Sequence, residues 1–342
     1  VRSEPYRYQP SWGTRVAPHM AAGLAAAAMG GRAGRALALA ALASFDADQS
    51  GRSQWISRLL PTGEGANVVG CVPARGERRR TLVLVAHHDA AQTGFQWRHP
   101  ALTGTAALRR LGLVSQDEVP AFAGLPELAF GLIALGPGGR RTRLAAAALL
   151  AGSLASALDV ARSETVPGAN DNATGVAAVL ALVERFAREP LDGVEVIALL
   201  PGSEESGMGG MAAWLRAEGR SLDPATTLVL GLDTVGSGEP VVLAAEGPPR
   251  RVRYREDDLA MAGRGARRAD LPEPRRFAVG GWTDPVLALF AGLPALSLLS
   301  VDSSGGLANY HVPTDTPERV DWDSVVDCTR LAAGIAEEFA SA

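Results

Sequence analysis

The sequence predicts an α/β fold, a three-layer sandwich whose central mixed, mostly parallel sheet is flanked by helices. Three observations carry that expectation. Apolar β-branched runs of strand length alternate with helical periodicity from residue 67 to the C-terminus, the pattern of crossover-connected strands. A chain of 342 residues, 47% hydrophobic, can bury a core without staples. Most of the polar clusters that could carry chemistry follow directly on the strand-like runs, where open α/β sheets keep their ligands.

Taken in order, the alanine-rich stretch 15–45 reads as helix broken at Gly30–Gly31, giving a helical N-terminal region over 14–46. NVVGCV (67–72) and TLVLVA (81–86) read as two strands split by the polar turn ARGERRR. From Gln96 to about Thr165 there is no strand signal, only two helical stretches around a Gly-Pro-Gly-Gly-Arg-Arg turn. This helical insertion has apolar runs too short to span a bilayer, though an interfacial role, and with it peripheral membrane contact, stays open. Residues 175–190 form an amphipathic helix ending at Pro190, and 193–200, 226–232 and 294–300 are further buried strands. The Arg-rich stretch 248–268 reads as a solvated arm, and 321–340 as a last amphipathic helix. No repeat or low-complexity linker divides the chain, so residues 1–342 read as a single catalytic domain.

Composition excludes several functions. A net charge of -4 gives no reason to expect a nucleic-acid partner. All 33 basic residues are arginine, which removes Schiff-base and P-loop lysine chemistry. Cys71 and Cys328 are far apart and in no metal-binding pattern, so a thiolate site is excluded, while a disulfide between them stays open. The chain opens on Val1 and shows no signal peptide.

Histidines and carboxylates supply the candidates. His87 and Asp89 follow the strand 81–86, two residues apart and so on one side. A carboxylate beside a ligand histidine fixes its tautomer, yet a lone histidine after a strand is more often structural. Asp171 sits in a Gly/Asn-rich loop entering a helix, where an N-cap is the plainer role. Glu204 and Glu205 are adjacent in a Gly-flanked loop after a strand; a nearby cation would relieve their repulsion. Asp233 ends another apolar strand, and His311 lies in the polar loop before the last helix. With nitrogen and oxygen donors only, the set suits zinc, cobalt or manganese.

Taken in sequence, AHHDAA, PGANDNATG, SEESGMGG, LDTVG and YHVPTDT resemble the M28 family of metallopeptidases, over roughly residues 65–95 and 165–342. The resemblance implies a zinc exopeptidase-like fold and two zinc ions. His87 and Asp233 would hold one, Glu205 and His311 the other, and Asp171 would bridge them. It further implies that Asp89 orients His87, that Glu204 is the general base toward a bridging water, and that Tyr310 donates to an oxyanion, with a packed tyrosine as the alternative. GGWTDPVLALFAGLPAL (280–296) resembles the family's substrate-side segment, with Thr283, Asp284 and Pro285 where Ser-Asp-His is common. Trp282, Thr283 and Asp284 are therefore the substrate-side candidates, although a buried tryptophan is more often core. The implied activity is aminopeptidase-like hydrolysis of a peptide or small amide substrate, with a secreted or bacterial cell-envelope location expected. The alternatives are a single-zinc acyltransferase like the glutaminyl cyclases, and a non-catalytic receptor-like domain of the same fold.

Overall fold

The computed structural model describes residues 1–99, 109, 111–112, 114–119, 124–136, 139–248 and 251–341. In chain order these form β1 (Arg2–Tyr8), α1 (Trp12–Met29), α2 (Gly31–Gln49), β2 (Gly63–Val72), β3 (Arg75–Val85), α3 (Phe95–Arg98), β4 (Glu118–Val119), α4 (Gly124–Leu135) and α5 (Arg140–Val160). There follow α6 (Thr174–Arg188), β5 (Asp192–Leu200), α7 (Gly209–Glu218), β6 (Thr227–Leu232), β7 (Glu239–Glu246), β8 (Val252–Arg253), α8 (Glu256–Arg268), β9 (Arg275–Val279), α9 (Pro285–Phe290), β10 (Ala295–Val301) and α10 (Trp322–Ser341).

The strands form one mixed sheet in the order β1-β2-β5-β3-β6-β10-β7-β9-β4, with β8 on β7. Five of its pairings are parallel and four antiparallel. Helices flank it: α10 packs against both α6 and α8, and α7 packs with α9. Burial on both faces is why the central strands are uniformly apolar. Leu82, Val83, Leu84 and Val85 of β3 and Leu228, Val229 and Leu230 of β6 are all buried. On α6 the buried stripe Ala178, Val179, Leu182 and Phe186 recurs at helical spacing, leaving Glu184, Arg185 and Arg188 outside.

A second apolar core lies apart from the sheet. Val16 and Met20 of α1, Phe45 of α2, Phe130 and Ile133 of α4, and Leu150 of α5 pack together. The N-terminal helices and the inserted helices thus bury each other.

Several expectations need correction. ARGERRR is no turn: β3 begins at Arg75, and its Arg75–Arg80 half stays largely exposed, meeting β5 at Arg75 and Arg80 across a register shift. β1, β7 and β9 carry too many polar or small residues to read as apolar runs. The insertion contains one short strand, β4, which extends the sheet edge beside β9; residues 100–108, 110, 113, 120–123 and 137–138 of it lie outside the described residues. Helix α5 runs for 21 residues and is long and apolar enough to cross a membrane by length and composition, because the helix begins at Arg140, within the polar turn. Cys71 and Cys328 are both free, one exposed and one buried.

Candidate active site

Register places the first candidates. In the sheet Val85 of β3 stands opposite Gly231 of β6 and Leu199 of β5. His87 and Asp233 are each two residues beyond that level on neighbouring parallel strands, so they emerge side by side. Glu204 and Glu205 leave the adjoining strand β5 in the loop that leads to α7. His311 arrives from the loop between β10 and α10, with φ of +56°. Asp171 comes from the loop preceding α6.

These side chains converge. Asp171 is buried, its Oδ1 lying 3.3 Å from Nε2 of His87 and its Oδ2 3.2 Å from Nε2 of His311. On the far sides, Oδ2 of Asp233 is 3.9 Å from the His87 Nε2, and Oε2 of Glu205 is 3.1 Å from the His311 Nε2. One carboxylate therefore lies between two imidazoles, each facing a further carboxylate of its own. Ligand atoms about 2.0–2.2 Å from a tetrahedral zinc ion would lie about 3.3–3.6 Å from one another, close to these separations. Ligand atoms of His87, Asp171 and Glu205 lie within 4.8 Å of one another, near enough to share an ion. Nε2 of His311 and Oε1 of Glu205 are buried without a hydrogen-bond partner among the described residues, which fits a donor set arranged for a cation rather than for itself.

Charge compensation inside the cluster shows the same deficit. Burial opposes the charge on His311, yet the Glu205 and Asp171 carboxylates push its pKa up to about 10. His87 is likewise raised, its burial outweighed by the neighbouring acceptor carboxylates of Asp171, Asp233 and Asp89. Asp171 is lowered by the two histidines against its own burial. Burial lifts Glu205 to about 7 and raises Glu204 well above its ordinary range, with Glu205, Asp284 and Asp233 adding to the latter. Positive charge is what this cluster lacks.

The surrounding residues act through the backbone. Nδ1 of His87 faces the main-chain carbonyl of Asp89 at 3.0 Å, closer than the Asp89 carboxylate at 3.6 Å. That carboxylate instead accepts the N–H groups of Glu204 at 3.0 Å and Glu205 at 3.2 Å. His88 turns away, with its Nε2 3.0 Å from the Ala66 carbonyl. Asp315, buried and not singled out from the sequence, accepts the N–H groups of Asn170 at 2.8 Å and Asp171 at 3.1 Å. Asn170 and Asn172 tie the same loop to Gly236 and to Thr234 beyond β6. Gly207, at φ of +115°, closes the glutamate loop, and the Arg15 guanidinium fills the space a Cβ would need.

The cluster opens into a cavity of about 1500 Å³ whose other walls come from the helical core, including Trp12 and Arg15 of α1 and Phe45 of α2. Tyr310 stacks on His311 at 3.8 Å between ring centroids, and Trp97 of α3 meets His311 edge-on at 4.8 Å. Nothing in the sequence around Trp97 pointed to that contact. Trp282 and Thr283 line the cavity, whereas Asp284 does not: it is buried, with both oxygens lacking a hydrogen-bond partner among the described residues. The Thr283 N–H and hydroxyl are anchored on the buried Glu246 at 2.7 and 2.8 Å, which fixes the segment so that the next residue turns inward.

Solved structures share this fold. A leucine aminopeptidase precursor from Bacteroides thetaiotaomicron VPI-5482 is 13% identical with a TM-score of 0.51, covering 96% of this chain and 99% of that one. Glutaminyl cyclase from Bacteroides thetaiotaomicron is 12% identical with a TM-score of 0.51, covering 96% and 98%. An aminopeptidase from Aneurinibacillus sp. strain AM-1 is 17% identical with a TM-score of 0.49 over 81% of this chain; the overlap is 48% of that enzyme, so the chain spans about half its length. No curated protein matches the sequence. Residues 154–336 match the sequence profile of peptidase family M28. That span is more than half of the chain and includes every candidate except His87 and Asp89, which the parallel sheet delivers to the same cluster; the chain belongs to peptidase family M28.

Proposed function

We propose that the chain is an exopeptidase of aminopeptidase type, in which His87 and Asp233 hold one divalent ion, Glu205 and His311 hold a second, and Asp171 bridges them. The observation that carries this reading is the Asp171 carboxylate between two imidazole nitrogens at 3.3 and 3.2 Å, with one further carboxylate on each. A single N–H on each ring cannot serve two carboxylates well, whereas a cation on each side satisfies all of them. Oxygen and nitrogen donors at this spacing suit zinc first, then cobalt or manganese. Ions bound there would polarise the scissile carbonyl and ease the deprotonation of water.

The remaining residues have separate tasks. Glu205 turns to His311, and because adjacent side chains diverge, Glu204 is left to face the cavity it lines. Burial keeps the Glu204 carboxyl weakly acidic, which suits a group that takes a proton from the attacking water and returns it to the leaving amine. The Tyr310 phenol is raised by burial; it therefore stays protonated and can donate to a developing oxyanion. Asp89 holds the 204–205 backbone, and Asp315 holds the 170–171 backbone. Trp282 and Thr283 form part of the wall met by a peptide or small amide substrate.

Glu204→Gln tests the assignment. The substitution keeps shape and removes the base, so turnover of aminoacyl substrates should fall at least 100-fold while elemental analysis still finds two zinc-type ions per chain. Retained turnover would remove Glu204 from the role. One ion per wild-type chain, with cyclisation of N-terminal glutamine in place of peptide hydrolysis, would favour the glutaminyl cyclase-like alternative.

A further inference from the structure

The four helices outside the sheet are two hairpins with their turns at the same end. Arg35, one turn into α2, donates from Nη2 to the Gly136 carbonyl at the end of α4, 2.8 Å away. The Arg143 guanidinium lies over Gly30, the junction of α1 and α2, where φ is +61° and any Cβ would collide with it. Residues 29–35, 135–136 and 139–144 thus share one tip. The opposite end of the bundle faces the catalytic cavity, through Trp12, Arg15 and Phe45 and through Ser153 and Ser156 of α5. Met29 lies fourteen positions beyond Arg15 on α1, which sets the tip roughly 20 Å from the cavity wall.

The tip differs in charge and polarity from the rest of the molecule. It carries Arg32, Arg35, Arg140, Arg141 and Arg143, and none of these forms an ion pair among the described residues. Arginines elsewhere are commonly paired, such as Arg264 and Arg268 on Glu338 or Arg75 on Asp192. In a chain with 37 acidic residues, residues 5–45 and 128–158 contain none. Among the arginines stand exposed aliphatic side chains: Met29 at 59%, Leu135 at 80% and Leu144 at 58% of full exposure. Leu39 on α2 and Leu128 on α4 continue the apolar rim behind them.

We infer that this tip docks on the surface of an anionic lipid bilayer, with its leucines in the headgroup region and its arginines on the lipid phosphates. Arginines without an acidic partner among the described residues, interleaved with exposed aliphatic side chains, match that surface in charge and in polarity. A protein partner would be met more typically by aromatic side chains, and none is exposed at this tip. Helix α5 has the length to cross a bilayer, but its C-terminal half lines the catalytic cavity with serines, so it stands on the membrane rather than through it. The docked enzyme would hold its cavity about one protein radius above the headgroups, within reach of surface-anchored peptides.

Flotation of the full chain with phosphatidylcholine vesicles, with and without phosphatidylglycerol, tests this. Each arginine near an anionic surface strengthens binding roughly fivefold, so Arg140→Gln/Arg141→Gln/Arg143→Gln should weaken binding to the anionic vesicles roughly 100-fold. Leu135→Ser/Leu144→Ser should weaken it as well, and raised salt should release the wild type. Arg143 is half-buried over Gly30 and the other substituted residues are exposed; unchanged thermal unfolding of the variants confirms that they fold. Absence of wild-type binding to anionic vesicles, or equal binding by wild type and the arginine variant, overturns the inference. So does leucine-dependent self-association without vesicle binding, which would assign the face to a second copy of the chain.

Discussion

Removing the Asp89 side chain tests whether its carboxylate or its main-chain carbonyl orients His87. The imidazole of His87 is held by the Asp89 main-chain carbonyl at 3.0 Å, which Asp89→Ala leaves in place. What the substitution removes is the carboxylate clamp on the N–H groups of Glu204 and Glu205. Hydrogen bonds to a charged group contribute roughly 1.5–3 kcal/mol each. With the side chain a quarter exposed, the lower figure applies, about 3 kcal/mol for the pair. If that energy serves to hold Glu204 in place, its loss slows turnover roughly 100-fold. Zinc affinity on the His87 side should change less than about threefold, because the ring keeps its carbonyl. Steady-state kinetics with a zinc-saturated enzyme, alongside competitive zinc titration, measure both quantities. A large loss of zinc affinity with turnover per bound zinc unchanged would refute this division of labour and restore the carboxylate as the group that orients His87.

Two further substitutions probe the helical core. Glu127 of α4 is buried, has an unpartnered Oε2, and burial, with Asp46 nearby, pushes its pKa from 4.5 up to about 8. A carboxyl raised in the folded state favours folding fully below its unfolded pKa and loses that contribution as pH rises through the folded value. Glu127→Gln should therefore match the wild type near pH 4.5 and exceed it by about 1–2 kcal/mol at pH 8–9, after discounting for solvent screening; parallel curves of melting temperature against pH would exclude Glu127 as the source. Arg15 and Asp48 form a buried pair at 3.4 Å. Asp48→Ala alone should cost about 3–5 kcal/mol by stranding the guanidinium, and the double variant with Arg15→Met should recover most of it; additive losses in urea unfolding would show that the two do not act as a pair.

Strands buried on both faces were legible because burial forces a continuous apolar run, as in TLVLV of β3. The strands missed lie where that pressure relaxes. β1 is half exposed at the sheet edge, and its EPYRY has no apolar run to detect. β7 and β9 hold a few apolar positions between proline, arginine and alanine, and their pairing is set by neighbours far away in sequence. The turn expected at ARGERRR failed for the opposite reason: charge was taken as a loop signal, while those arginines extend from a strand end into solvent and pair with Asp192 and Glu195. Local composition reports burial, and burial coincides with strand only in the middle of a sheet.

At the site the division falls between residues that emerge from strands and residues that act through space. His87 and Asp233 share one register level, and Glu204 and Glu205 leave the neighbouring strand, so topology alone gathers them wherever strands end in carboxylates or histidines. Asp315 gave no such signal. An aspartate between two threonines reads as a turn residue, and only the folded loop brings its carboxylate to two backbone amides 144 and 145 positions away. Trp97 is similar: its ring reaches His311 and Tyr310 because the inserted helices fold back over the cavity. The same insertion supplies much of the cavity wall. Chemistry can thus be read from the strand ends, whereas the cavity wall depends on side chains whose neighbours are fixed only when the helical core packs against the sheet.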